Sequence, residues 1–259
     1  MNNFLKKEKR NNILVKVMQL SIGIIFLISW ELLSRFNIIN SFIFSSPTKI
    51  LMTIVDLYKN NNLFNNIWVT LYELFISFGI GSSLGFIIAL LFYKFSILKK
   101  IFDPYLTLLN SLPKVALGPL LIIWIGANTN SIIAMALLIS SIISIINIYN
   151  GFSNTDIDKI KLMRSFKASK WQIYKLLILR GNMNTIISSL KINISMCLIG
   201  VIMGELLVSK EGIGYLIMYG SQVFNLNLVM TGIFLLAIIS YILYAIVSYI
   251  EKKLVYSKN

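Results

Sequence analysis

The sequence predicts an all-α integral membrane protein that crosses the bilayer six times, with both termini cytoplasmic. Three observations predict it. Apolar residues make up 57% of the 259 positions and charged residues only 13%, about half the charge of a soluble domain. Mean hydropathy is +0.78. Uncharged runs are as long as a bilayer is thick, or longer, and Lys and Arg collect in alternate loops. Such a composition excludes a large soluble enzyme, and also disorder, whose signature is low hydrophobicity. The sequence has no histidine and one cysteine, Cys197. That excludes a Ser-His-Asp triad, a Cys-His pair, a zinc site of the usual ligands and a disulfide within the chain.

A spanning helix needs about 20 apolar residues. The first span is Val17–Trp30, continuing to Leu33 past Glu31, and the second is Leu74–Tyr93. Val115–Thr155 is uncharged for 41 residues, about 62 Å as a helix, so it must fold back. The break at Gly126–Asn130 divides it into Leu109–Ile125 and Ser131–Tyr149. Pro113 and Pro119 predict a kink in the third span. The fifth span runs from Ile192 to about Val208 with Glu205 inside, and the sixth is Leu228–Ile250.

The N-terminus is placed inside by the distribution of Lys and Arg. Eighteen of them then fall in cytoplasmic segments and four (Arg35, Lys49, Lys59, Lys210) outside. The bias accounts for the net charge of +14 without nucleic acid. No small-residue cleavage site follows the first apolar run, so an uncleaved anchor is expected. Residues 1–16 are read as a basic cytoplasmic N-terminus, 17–250 as the membrane domain and 251–259 as a cytoplasmic tail.

One long cytoplasmic loop, about 151–185, carries two helix-start signals: Thr155 with Asp158, and Ser169 with Gln172. Two helices are expected, Asp156–Ser165 and Lys170–Leu179. Ile157, Ile160 and Met163 or Arg164 would share one face of the first, and Trp171, Tyr174 and Ile178 one face of the second. The loop reads either as a basic hairpin lying on anionic headgroups or as a rigid knob for a soluble partner.

Several segments, in this order, resemble a known family: SSPTKI at Ser45–Ile50, FDPYLTLLNSLPKVALGPLLIIWIG at Phe102–Gly126, NIYNGFSNTD at Asn147–Asp156, RSFKASKWQIYKLLIL at Arg164–Leu179 and IGVIMGELLVSKEGIGYLI at Ile199–Ile217. Together they resemble the permease subunits of binding-protein-dependent ABC importers, most closely the nitrate/sulfonate/taurine type. The family loop reads Glu-Ala-Ala, then Gly, later Leu-Pro. Here Lys161-Leu162-Met163, Lys167 and Arg180 stand at those places. A lysine where the turn needs positive φ costs about 1 kcal/mol.

The resemblance implies a type I ABC importer permease-like fold in a prokaryotic cytoplasmic membrane. It implies a second permease copy, two ATPase subunits and an extracellular substrate-binding protein. The chain itself would be a transport subunit rather than an enzyme, with no cofactor of its own and ATP bound by its partners. In agreement, no Gly-Lys dipeptide, hence no P-loop, occurs in the sequence. Arg164, Ser165, Phe166, Lys167, Ala168 and Ser169 are the candidate ATPase-coupling residues. Phe166 would either fill a slot in the ATPase or pack between its own two helices. Glu205 would neighbour the pathway or hold a helix end. The segment Ser209–Asn227, with Gly212 and Gly214, and the turn at Asn128 are candidates for the pore mouth or for receptor docking. A gradient-driven secondary transporter and a non-transporting scaffold are the alternatives. The former wants ion-coupling carboxylates and two related halves. No repeat is visible, and Glu205 is the sole carboxylate read as buried.

Overall fold

Long apolar runs punctuated by Gly, Pro and Asn fold as the pattern predicts, into helices joined by short turns. The structure, a computed structural model, describes residues 2–60 and 62–256, with the side chains of 10, 11, 13–60 and 62–253. The side chains of Lys6, Lys7 and Lys9, and all of Lys258, lie outside the described residues. The helices are α1 (Asn2–Arg35), α2 (Ser41–Phe44), α3 (Pro47–Lys59), α4 (Asn62–Lys94), α5 (Ser96–Ser111), α6 (Gly118–Ile125), α7 (Thr129–Ser153), α8 (Ile157–Ser165), α9 (Lys170–Gln172), α10 (Met183–Val208), α11 (Ile213–Gln222) and α12 (Leu226–Tyr256). No strand occurs among the described residues.

Five helices are long and apolar enough to cross a membrane unaided: α1 from Ile13, α4, α7, α10 and α12 to Lys253. The expected third span is not one rod. α5 and the stretch Lys114–Ile125 meet at a 90° bend, and counted as one broken span they bring the total to six. The break falls at Leu112-Pro113, followed by a 3₁₀ turn at Lys114–Leu117. Pro113 has no N–H to give and holds the preceding residue extended (Leu112 φ −66°, ψ 141°). The two prolines therefore do more than kink the span. The second and fifth spans begin earlier than the uncharged runs indicate, at Asn62 and Met183, because isolated polar residues on one helix face do not end a helix.

The chain divides into two units. One holds the residues up to Leu63 together with Ile217–Ile233. Here SSPTKI is a helix start: the Ser46 hydroxyl accepts from Lys49 N at 3.3 Å, and Pro47 sits in the first turn. Glu31 of α1 accepts from Thr48 N at 3.0 Å and from Arg35 Nε at 2.8 Å. Ser45 Oγ donates to Asn227 Oδ1 at 2.8 Å. The most apolar stretch of α1 contains no buried residue.

The other unit holds Phe64–Leu216 and the chain from Phe234. Its axis is the pair α7 and α10, which approach through small residues. A Cβ on Gly200 would lie 3.1 Å from both Ala136 Cβ and Ala136 N, and closer still to Ala136 Cα. A Cβ on Gly81 would lie 2.9 Å from Ser140 Oγ, drawing α4 against α7 in the same way. Gly200→Ala is therefore expected to cost about 1–3 kcal/mol through overpacking against backbone that cannot yield, read as a lowered thermal midpoint in detergent. Gly79→Ala, where nothing lies within 4 Å, is the control and should be neutral or better. Lys191 pairs with Glu251 of α12, and its ammonium lies 5.4 Å from the Tyr244 ring. Cys197 is free and fully buried.

Candidate functional site

The loop between α7 and α10 folds into an elbow, and its sequence explains each turn. Asp156 starts α8 by accepting from Asp158 N at 2.9 Å. Thr155, the expected cap, is used otherwise: its hydroxyl accepts from Asn182 Nδ2 at 2.7 Å, fastening the loop's two ends to each other. At the corner, Lys167 N–H donates to Arg164 O at 2.9 Å and Ala168 N–H to Met163 O at 3.0 Å. This is a Schellman end, whose central residue takes positive φ. Lys167 has φ +54°. The lysine thus adopts the glycine conformation and bears its cost of about 1 kcal/mol. Ser169 then opens the next helix with a complete capping box: Gln172 N donates to Ser169 Oγ at 3.2 Å, and Ser169 N to Gln172 Oε1 at 2.7 Å.

After Gln172 the winding changes. Ile173–Leu179 is π-helical, so residues five apart share a face. The inward face is accordingly Ile173 and Ile178, both buried, and not Trp171, which is 67% exposed. Ile178 packs with Ala89, Ile148 and Phe152. Tyr93 lies against Phe152 at 5.9 Å and Tyr174 at 6.1 Å between ring centroids. This aromatic joint ties the elbow to α4 and α7. The tip points away from it: Phe166 is 76% exposed and does not pack between its own helices.

A second constellation surrounds Glu205. The first N–H groups around the start of α11 need acceptors. Gly212 N donates to Asn66 Oδ1 at 2.7 Å, Ile213 N to Thr70 Oγ1 at 2.9 Å and Gly214 N to Glu205 Oε2 at 2.5 Å. Thr70 Oγ1 in turn donates to Glu205 Oε1 at 2.7 Å. A carboxylate at a helix N-terminus also meets the favourable end of the helix dipole. Gly212 (φ +108°) and Gly214 leave room for it: a Cβ on Gly214 would stand 2.7 Å from Glu205 Cβ, and one on Gly212 would run into the carboxylate. Both glycines, read from the sequence as turn formers near a pore mouth, lie against this acid. Asn128 is apart from them in function, capping α7 through Asn130 N at 2.9 Å.

Glu73 immediately precedes the uncharged run Leu74–Tyr93, where a position at the membrane–water boundary is the simple expectation. The structure buries it, 1% exposed, one turn along α4 from Thr70. Neither carboxylate oxygen has a donor in good hydrogen-bond geometry; its neighbours are the Glu205 carboxyl and the Thr129 hydroxyl. It lines a cavity of about 550 Å³ with Asn128, Ser209 and Glu211. Asn66, Thr70, Glu73 and Ser77 recur at spacings of four, three and four in the sequence. That polar stripe at helical period is the sequence signal of a buried polar face, and it begins before the uncharged run Leu74–Tyr93.

An all-helical bundle with one broken span and a helical elbow between its last two long pairs has the architecture of a type I ABC importer permease. Residues 81–256 match the family described as binding-protein-dependent transport system inner membrane component, and the chain belongs to it. It is a multi-pass protein of the bacterial inner membrane. Among similar proteins, one of Bacillus subtilis that carries the name aliphatic sulfonates transport permease is 25% identical over 230 residues, 89% of this chain and 83% of that one. The formylaminopyrimidine transport permease of Halalkalibacterium halodurans is 25% identical over 228 residues, 88% of this chain and 90% of that one. A solved structure of the methionine ABC transporter MetNI, inward facing, superposes with a TM-score of 0.64 at 17% identity, over 72% of this chain and 93% of that one, a likeness of fold.

Proposed function

We propose that this chain forms, with a second copy of itself, the passage of an ATP-driven importer. Two separate ATPase subunits dock on the elbows, and an extracellular binding protein delivers the solute. The elbow is the observation that carries this reading. A nucleotide can shift a two-state passage only through a difference in affinity between the states, so the docked part must be joined rigidly to the spans. Here the capped corner and the joint of Tyr93, Phe152 and Tyr174 supply that connection, and the exposed tip supplies the contact. Arg164, Ser165, Phe166, Lys167, Ala168 and Ser169 are the coupling residues. The excess of Lys and Arg in this loop supports a cytoplasmic elbow and cytoplasmic termini. ATP is bound by the partners.

On the opposite side, Glu205 with Gly212 and Gly214 holds the start of α11 near the passage mouth, and the turn at Asn128 faces the delivery protein. Relatives named for sulfonates and for a formylaminopyrimidine share no single solute, which fits selection by the delivery protein. The test is uptake in proteoliposomes. With an ATPase and a binding protein supplied, accumulation should require ATP and both partners. Uphill uptake by the purified chain alone, driven by an ion gradient, would overturn the reading.

A further inference from the structure

Behind the elbow, between it and the end of α4, lies a cavity of about 920 Å³. Its floor is apolar, with Leu90, Ile160 and Ile178, and its rim carries three cations, Lys94, Arg164 and Lys170. No Asp or Glu lines it, and none of the three cations joins a salt bridge among the described residues. Lys94 is the last residue of a 33-residue spanning helix, so the rim stands where a span leaves the hydrocarbon. The floor continues outward through Ile87 and Leu91, 52% and 41% exposed, on an apolar side of α4 left open within the chain.

We propose that this cavity seats one anionic phospholipid, an acyl chain on the apolar floor and the phosphate among Lys94, Arg164 and Lys170. Charge and continuity select this occupant. Basic pockets beside spanning helices bind acidic headgroups, and an acyl chain asks nothing polar of the floor. An acidic peptide would carry its backbone N–H and C=O groups onto that same floor, where they would find no partners. A lipid held here wedges the elbow against α4, on the far side of the corner from the exposed Phe166. The site shares Arg164 with the proposed ATPase contact, so it is tested at Lys94 and Lys170, which lie outside that contact.

Native mass spectrometry of the full chain in detergent tests the proposal, with phosphatidylglycerol and phosphatidylcholine of identical acyl chains as probes. The wild type should retain phosphatidylglycerol in preference. Because one surface cation is worth about fivefold in affinity for an anionic lipid, Lys94→Gln with Lys170→Gln should cut that preference by about tenfold or more. Both residues are exposed, so the protein should fold unchanged. Lys252→Gln with Lys253→Gln, elsewhere on the surface, should leave the preference intact. Leu90→Trp, which fills the floor, should lower retention of both lipids. The proposal is overturned if the two lipids are retained equally, if the preference survives the Lys94/Lys170 pair, or if excess inorganic phosphate displaces phosphatidylglycerol. It is likewise overturned if that pair abolishes ATPase co-purification while lipid retention is untouched, since the cavity would then belong to a protein partner.

Discussion

Glu205→Leu should destabilise the protein by loosening the start of α11. The substitution keeps apolar bulk but removes the acceptor used by Thr70 Oγ1 at 2.7 Å and Gly214 N at 2.5 Å. Both donors stay buried, Thr70 with no exposed surface at all. Gly214 N is then left without an acceptor, at about 1–3 kcal/mol, while Thr70 Oγ1 keeps a second acceptor in Asn66 O at 3.1 Å. The loss is also local, because Gly214 N lies in the first turn of α11. The start of α11 should therefore loosen first. Thermal melting in detergent reads the total, and amide exchange at Gly212–Gly214 reads the location. Glu205→Gln keeps one acceptor oxygen and should fall by less than half as much. A leucine variant that melts within about 0.5 kcal/mol of wild type, the scatter of an ordinary surface change, would show that α11 is held by its apolar contacts and not by this acid.

The clasp shows where the sequence could be read and where it could not. Glu205 stood out because it interrupts an apolar span, and Gly212 and Gly214 because glycines cluster after it. That the three meet depends on α4 returning to the same place 135 residues earlier in the chain, which no local pattern contains. The partners Asn66 and Thr70 lie before the uncharged run that marked the second span, in a stretch the length criterion set aside. The elbow was legible nearly to the residue because its signals are local: a capping box is four residues long and a Schellman corner six. Its packing was not. On the second helix Ile178 and Tyr174 lie on the expected inward face, but the π winding from Ile173 to Leu179 adds Ile173 and leaves Trp171 exposed. Pro113 announces a bend, but no local pattern gives its angle of 90°.

Phe166→Ala tests the elbow at the point where structure and proposed function separate most cleanly. With 76% of its surface exposed, Phe166 contributes little to the fold of this chain, so the variant should melt with wild type. Its corner is fixed from both sides by backbone bonds, Phe166 N to Leu162 O at 3.2 Å and Ala168 N to Met163 O at 3.0 Å, and keeps its shape without the ring. A large aromatic presented on a rigid corner is the form that interface anchors take, and truncating such an anchor costs about 2 kcal/mol or more, about 30-fold in partner affinity. ATP-driven uptake and ATPase co-purification should fall together, while binding of the loaded delivery protein on the other face persists. Phe166→Leu should restore part of both, because a slot that takes a phenyl ring takes much of a branched aliphatic side chain. Uptake that is undiminished in Phe166→Ala would move the coupling contact off the tip, to the exposed Trp171 and Leu162 on its flanks. Uptake lost with the ATPase still bound would make the ring a transmitter of motion instead of an anchor. The two measurements distinguish docking from coupling, which the exposed position alone leaves joined.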